Sequence, residues 1–383
     1  MDDGSRDQGR LLAVVLALVS LGIVMVWSTT AVVRDAKVGD PTEFLRKQVL
    51  WTMLGAIAMA LAWATDYHAI LKWRKHAVGV VAIALVAVFA TTPHKGARRW
   101  FDLGGAHIQP SELAKTASIL YLVGHCAVRE RLETLRGAIE GLGVLGLLVG
   151  LIALEPDLGT AALIAMTGAL ILLVAGVRLK HMFALGTPAA IVGILGGLTR
   201  HHAQNRLKGF LNPEADPLGV NYQIRQALIA LGSGGPTGLG LGDSKQKLFF
   251  LPDDHTDFIL AIIGEELGLV GTLCVLALFA ALVVFGIRVA IRAKDREGFL
   301  LALGVTAIIG LQAAMNVAVV TASMPNKGIS LPFISFGGSS LVVAMAGVGL
   351  LLNVASQSQC SMPSAQCPVP SETSPLDAEA ALA

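Results

Sequence analysis

Charged side chains stand where an apolar chain has least use for them in the stretch Phe249–Gly268, FFLPDDHTDFILAIIGEELG. Asp253, Asp254, His255 and Asp257 lie at the junction between a long polar loop and an apolar run, Leu267–Ile291, long enough to cross a bilayer. Glu265 and Glu266 follow within a helical pattern. A charge near hydrocarbon costs about 2.5–3.5 kcal/mol at a helix centre, so such groups are usually kept for function and face a cavity. A carboxylate beside a membrane can also have its pKa raised toward values useful for taking a proton. The junction therefore predicts a catalytic carboxylate at the outer side of a membrane. For Asp257 the competing reading is a helix N-cap.

Three further constellations carry chemistry-bearing types. Gly96-Ala97-Arg98-Arg99-Trp100 is followed by Gln109-Pro110-Ser111-Glu112, with Lys115 one turn later. Glu155-Pro156-Asp157-Leu158-Gly159-Thr160 forms a tight turn between apolar runs. Met324-Pro325-Asn326-Lys327-Gly328 leads to Phe336-Gly337-Gly338-Ser339-Ser340. Arginine pairs with phosphate oxygens through a planar fork and lysine as a point charge, so Arg98, Arg99, Lys115 and Lys327 are candidate anion ligands. Duller roles stand beside these: Glu112 and Lys115 share a helical face as an i,i+3 ion pair, Asp157 caps a helix, His255 is a hydrogen-bonding neighbour, and Trp100 is an interfacial anchor. On a helix Glu265 falls about 80° and Glu266 about 180° round from Asp257, so structural polar contacts are expected of both.

The elements that must position these residues are apolar. The chain has 383 residues, 54% hydrophobic and 15% charged, with a mean hydropathy of +0.67. That composition predicts an integral membrane protein. The near-neutral charge, with no basic run interleaved with aromatics, argues against a nucleic-acid partner. Windows of roughly 17–25 apolar residues predict an all-α polytopic protein of about ten spans: Leu11–Val33, Val49–Thr65, Ala77–Thr91, Leu113–Val128, Gly141–Leu154, Leu158–Val177, Met182–Thr199, Leu267–Ile291, Phe299–Ala322 and Phe333–Asn353. The first run shows no small-residue cleavage pattern and reads as a span rather than a signal peptide.

Lysine and arginine are more frequent in the loops on the N-terminal side of the membrane, which predicts cytoplasmic termini and an extracytoplasmic loop over residues 200–256. Residues 1–10 read as a cytoplasmic tail, 11–357 as the membrane domain, and 358–383 as a disordered cytoplasmic tail without Lys or Arg. Within the long loop, Tyr222–Leu231 puts Ile224, Ala227, Leu228 and Leu231 on one face, predicting a short helix on or in the outer leaflet. The glycine-rich Gly232–Ser244 lacks the strand and GK[ST] of a nucleotide loop, so a hinge or close-approach turn is expected. Cys126, Cys274, Cys360 and Cys367 have no metal-like or redox spacing and read as free thiols.

The motifs GARRW, QPSELAK, EPDLGTA, QKLFFLPDDHTDFILAIIGEELG and NKGISLPFISFGGSSL occur in that order. In them the chain resembles the SEDS family (shape, elongation, division, sporulation), the polytopic polymerases of bacterial cell-wall glycan. The resemblance covers nearly everything except the C-terminal tail. Lys327 in its NKG element, the spelling Gly264-Glu265-Glu266-Leu267-Gly268 and the pattern Asn212-Pro213 with Asp216-Pro217 make it more similar to the FtsW branch, which serves division, than to RodA.

The resemblance implies a peptidoglycan glycosyltransferase that polymerises lipid II outside the cytoplasmic (inner) membrane, with undecaprenyl pyrophosphate leaving. The family's essential acid maps onto Asp257. Arg98, Arg99, Glu112, Lys115, His255 and Lys327 would line the substrate site. The implied partners are a class B penicillin-binding protein, division assembly proteins and membrane lipids. A divalent cation such as magnesium or manganese would help pyrophosphate depart, but the sequence shows no dedicated ligand set. Two other classes compete. A lipid II flippase needs ionisable residues near the bilayer midplane, whereas these gather at one end of the spans. A non-catalytic scaffold needs no acid there. A RodA-like elongation polymerase is the alternative within the family.

Overall fold

The structure, a computed structural model, describes residues 3–35, 42–92, 98–104, 106–128, 132, 134–198, 201–211, 221–248, 250–252 and 255–359. The chain is dominated by helices: α1 (Asp3–Asp35), α2 (Glu43–Ala64), the short α3 (Tyr67–Lys72), α4 (Arg74–Ala87), α5 (Pro110–Cys126), α6 (Leu135–Leu154), α7 (Leu158–Val174), α8 (Leu179–Leu198), α9 (His201–Leu211), α10 (Tyr222–Ser233), α11 (Ile259–Ile291), α12 (Arg296–Val320) and α13 (Gly338–Gln359). Each expected apolar span coincides with a helix. Among the described residues, six helices are long and apolar enough to cross a membrane, and the shorter α7 is also apolar.

Outward faces are greasy. Leu50, Met53, Ile57 and Leu61 of α2 and Val80 and Ile83 of α4 are exposed, as lipid-facing side chains are. Close helix packing comes from small residues. A Cβ on Gly349 of α13 would meet the Ala62 side chain of α2 at 2.8 Å. At one end of the bundle Asp7 accepts from Arg292 Nη1 at 2.8 Å, and Tyr67 Oη donates to Asp295 at 2.9 Å.

Several expectations need correction. Residues 3–10 of the expected N-terminal tail are helical, with Asp7 buried. The all-α reading misses an antiparallel hairpin, β1 (Phe101–Leu103) with β2 (Ala106–Ile108), turned through Gly104 at φ 64°. The loop expected over 200–256 carries α9 and α10. The α10 helix buries Ala227 and Ala230 and leaves Leu228 and Ile229 exposed, so its buried stripe is rotated from the expected face. The last helix starts at Gly338 rather than Phe333, because 333–337 is spent holding another segment. The expected C-terminal tail from Cys360 onward, with Cys360 and Cys367, lies outside the described residues. Cys126 and Cys274 are free thiols.

The α11 helix is two pieces. Gly268 breaks it with φ 67° and ψ −164°, a backbone only glycine adopts readily. The glycine-rich loop repairs the ladder there. Leu239 N and Gly240 N donate to Glu265 O and Glu266 O at 3.0 and 3.1 Å, while Leu269 N and Val270 N donate to Gly235 O and Pro236 O at 2.9 and 3.2 Å. Non-helical backbone at membrane depth requires such internal partners. This loop is a close-approach turn.

Both glutamates of the same helix face inward. Glu265 accepts from Ser244 Oγ, Lys245 N (3.1 Å), Gln246 N (3.3 Å) and Ser233 Oγ (3.4 Å). Glu266 accepts from Ser28 Oγ of α1 at 2.6 Å and pairs with the buried Lys247 ammonium at 2.9 Å. They fasten the loop to α11 and α1, the structural contacts expected of them.

Candidate active site

Asp257 stands just ahead of α11. Phe258 occupies the N-cap position, so Asp257 does not play the capping role. Its segment is held through three consecutive carbonyls. His255 O accepts from Phe336 N at 2.9 Å, Thr256 O from Ser335 Oγ at 2.6 Å, and Asp257 O from Asn316 Nδ2 at 2.8 Å. Asn316, buried in α12, donates equally to Ile329 O at 2.7 Å. One amide therefore ties the Asp257 segment to the Asn326–Ile329 segment. Phe333 sits at φ 65°, an outlier for a bulky residue and typical of a strained functional support. It belongs to the same support that supplies Ser335 and Phe336.

The half-buried Asp257 carboxylate lies against Gly328. A Cβ at 328 would stand 2.8 Å from Asp257 Oδ2. Gly328→Ala should therefore push the carboxylate aside. Because misplacing a reacting group by about 1 Å can cost 10²-fold, the turnover of this variant should fall by about 10–100-fold with thermal stability little changed. A rate within twofold of wild type would show that the carboxylate needs no such alignment.

The other candidates divide into those near Asp257 and those that serve elsewhere. Arg99 Nε and Nη2 donate to Glu155 O and Pro156 O, both at 2.7 Å, closing the C-terminus of α6. Arg206 of α9 lies within electrostatic reach of Arg99, Asp157 and Asp257. Lys327 lies within reach of Arg206 and Asp157; burial, aided by the Arg206 charge, holds its pKa below the ordinary lysine value, with Asp157 opposing. Asp157 caps α7 through Thr160 N at 3.1 Å and accepts from Gln109 Nε2 at 3.0 Å. Arg98 instead donates to Phe89 O at 2.7 Å. Glu112 and Lys115 form the expected buried ion pair at 2.6 Å, and Lys115 continues to Gln312 at 2.8 Å, which reaches Ser330 O at 2.9 Å. The His255 ring packs against Phe44 and Phe336, 5.2 and 6.0 Å away by ring centroids, and those two rings also touch each other at 5.1 Å. Asp253 and Asp254 lie outside the described residues.

Sequence reasoning missed Asn316 and Arg206. Asn316 is a lone amide inside an apolar run, and a buried polar group there must have partners. Arg206 sits in a loop whose charges say nothing about orientation, but it is basic within an amphipathic stretch.

Glu155 is fully buried, and neither of its oxygens has a hydrogen-bond partner among the described residues. Burial, then the neighbouring Asp157, raises its pKa from 4.5 to about 8, with Arg99 opposing. The folded protein thus holds this proton more tightly than the unfolded chain. The stability it contributes is present below pH 4.5 and is lost as pH rises through about 8. Glu155→Gln should flatten that fall, giving a stability gain over wild type on the order of 1–3 kcal/mol near pH 8 that shrinks toward acid pH. Thermal unfolding against pH reads it directly, and parallel profiles for the two proteins would contradict it.

With Glu155 neutral, Arg99, Arg206 and Lys327 outnumber Asp157 and Asp257, which is the charge balance of an anion site. Among the described residues no three His, Cys, Asp or Glu side chains group to hold a metal. Two carboxylates among three cations do not fit a divalent-cation cage. The arrangement can take a proton at Asp257 while neutralising a phosphate group beside it.

Residues 9–360 match the family described as cell cycle protein, FtsW/RodA/SpoVE. The chain is 39% identical to the probable peptidoglycan glycosyltransferase FtsW of Trichlorobacter lovleyi, over 90% of this chain and 92% of that protein. It is 38% identical to stage V sporulation protein E of Bacillus subtilis, over 91% and 97%. Among solved structures, a chain from a peptidoglycan synthase complex that coordinates polymerization and crosslinking superposes with a TM-score of 0.73 at 26% identity, covering 91% of this chain and 97% of that one. Thermus thermophilus rod shape determining protein RodA superposes at 0.66, also at 26% identity, covering 91% and 96%.

Proposed function

The chain belongs to the FtsW/RodA/SpoVE family of cell cycle proteins, and from that membership we propose that it is a glycosyltransferase that polymerises lipid II into septal peptidoglycan at the outer face of the cytoplasmic membrane. Ten helices cross the bilayer with both termini cytoplasmic, and Asp257 faces outward. The 4-hydroxyl of an incoming sugar attacks the anomeric carbon of the growing chain. Its proton passes to the Asp257 carboxylate, the new glycosidic bond forms, and the bond to undecaprenyl pyrophosphate breaks. Arg99, Arg206 and Lys327 neutralise the departing pyrophosphate, and charge-assisted contacts of this kind are the strong ones. The single observation that carries this reading is the Asp257 segment, bound at three successive carbonyls beside those cations.

A class B penicillin-binding protein crosslinks the product, in line with the synthase complex to which the chain is similar. Division proteins place the pair at the septum. The ionisable groups around Asp257 lie where the helices end, and the deeper Glu265 and Glu266 are tied up by Ser244, Ser28 and Lys247 rather than lining a path, which favours an enzyme over a flippase. The test is the full chain with its transpeptidase partner in liposomes containing labelled lipid II. Labelled polymer supports the proposal. Label crossing the bilayer without polymer would make the protein a transporter, and neither activity would leave a scaffold.

A further inference from the structure

At the end of the bundle opposite Asp257, a cleft of about 300 Å³ opens between α4, α5 and α6, lined by Arg74, Lys75, Tyr121, His125, Glu140 and Val144. The proposed reaction uses none of these residues. Arg74 lies across Gly124 of α5, where a Cβ would come 2.7 Å from its Nε, so the glycine makes a bed for the guanidinium. Arg74 Nη1 donates to Leu71 O at 3.0 Å. Among the described residues, no carboxylate lies within ion-pair distance of Arg74 or Lys75. Glu140 pairs instead with Arg136, at 3.4 Å. His125 donates through Nε2 to Gly137 O at 2.8 Å and lies parallel to Tyr121, centroids 6.0 Å apart, making a rigid aromatic wall.

We propose that this cleft binds the phosphate of an anionic phospholipid, with Arg74 and Lys75 as its cationic ligands. The surroundings point to a lipid rather than a soluble phosphate. Val80 and Ile83 run down the outside of α4, and Ile139 and Leu147 down the outside of α6, all at least 49% exposed; acyl chains can follow these rails away from the headgroup. Trp73, 67% exposed beside the cleft, is the residue type that settles at the headgroup level. Basic pockets between helix ends are established cradles for anionic headgroups. The inference rests on the membrane arrangement above, in which the cytoplasmic leaflet supplies the lipid, but not on the glycosyltransferase chemistry.

The experiment is native mass spectrometry of the full chain released from nanodiscs of phosphatidylcholine and phosphatidylglycerol. The wild type should retain phosphatidylglycerol preferentially. Arg74→Gln and Lys75→Gln should each cut that preference about fivefold, and Gly124→Ala should lower it by displacing the arginine. Arg98→Gln, at the far end, should leave it unchanged. Lys75 is exposed, so its variant folds whether or not Arg74→Gln does. A preference identical to wild type in Lys75→Gln and Arg74→Gln would overturn the proposal. Loss of retained phosphatidylglycerol on adding millimolar inorganic phosphate would identify a soluble anion instead, and equally overturn it. The readout is independent of polymer formation, so failure of the enzymatic reading leaves it standing.

Discussion

Asparagine at Asp257 should slow glycan polymerisation by about 10²–10⁴-fold, the loss expected when a positioned base is removed. The fold should survive. Backbone carbonyls of this segment accept from Phe336, Ser335 and Asn316, and asparagine keeps its carbonyl. Side-chain volume is also nearly unchanged, so the contact with Gly328 stays filled. Single-turnover conversion of labelled lipid II, measured with the transpeptidase present, separates chemistry from binding. Retention of lipid II by the variant should change only a few fold, because the cations proposed to meet the pyrophosphate are intact. A wild-type rate in Asp257→Asn would remove the carboxylate from the reaction and leave the resemblance without its central residue.

Alanine at Glu266 should cost about 3–5 kcal/mol of stability, the usual penalty for stranding one member of a buried ion pair. Lys247 is 1% exposed and its ammonium has Glu266 as its ion-pair partner; without that carboxylate its partners among the described residues are the carbonyls of Gly242 and Ser28. Replacing both residues with methionine should recover most of the loss, since a packed apolar pair often equals a buried ionic one. Denaturation in detergent of the two single variants and the double variant closes the cycle. If Glu266→Ala unfolds within about 1 kcal/mol of wild type, the pair is solvated and does not fasten the loop.

The helical segments were legible because apolar runs of spanning length leave little alternative. Tyr222–Leu231, the Glu112–Lys115 pair and the capping role of Asp157 were equally readable, since each depends on residues one to four apart. The hairpin carried a local sign as well: Phe101-Asp102-Leu103 and Ala106-His107-Ile108 alternate about a Gly-Gly pair, a recognised turn signal. What stayed hidden depends on partners far along the chain. The break at Gly268 looks like an ordinary glycine in a helix until the 235–240 loop is seen bonding to it. The non-helical start at Asp257, ahead of the N-cap Phe258, also voids any wheel angle between Asp257 and Glu265 or Glu266. Pro332 and the Gly337-Gly338 pair hinted that the last helix begins late. That Ser335 and Phe336 would hold the 255–256 carbonyls could be found only in three dimensions.

The interruption at Gly268 also bears on how the polypeptide is made. A segment whose amides and carbonyls are completed by a strap some thirty residues upstream is not self-sufficient on leaving the translocation channel. Until the strap docks, four main-chain groups face hydrocarbon bare, each at a cost of several kcal/mol. Completion of α11 is therefore coupled to docking of the strap, so a lesion in the strap alone should leave the backbone around Gly268 unfinished.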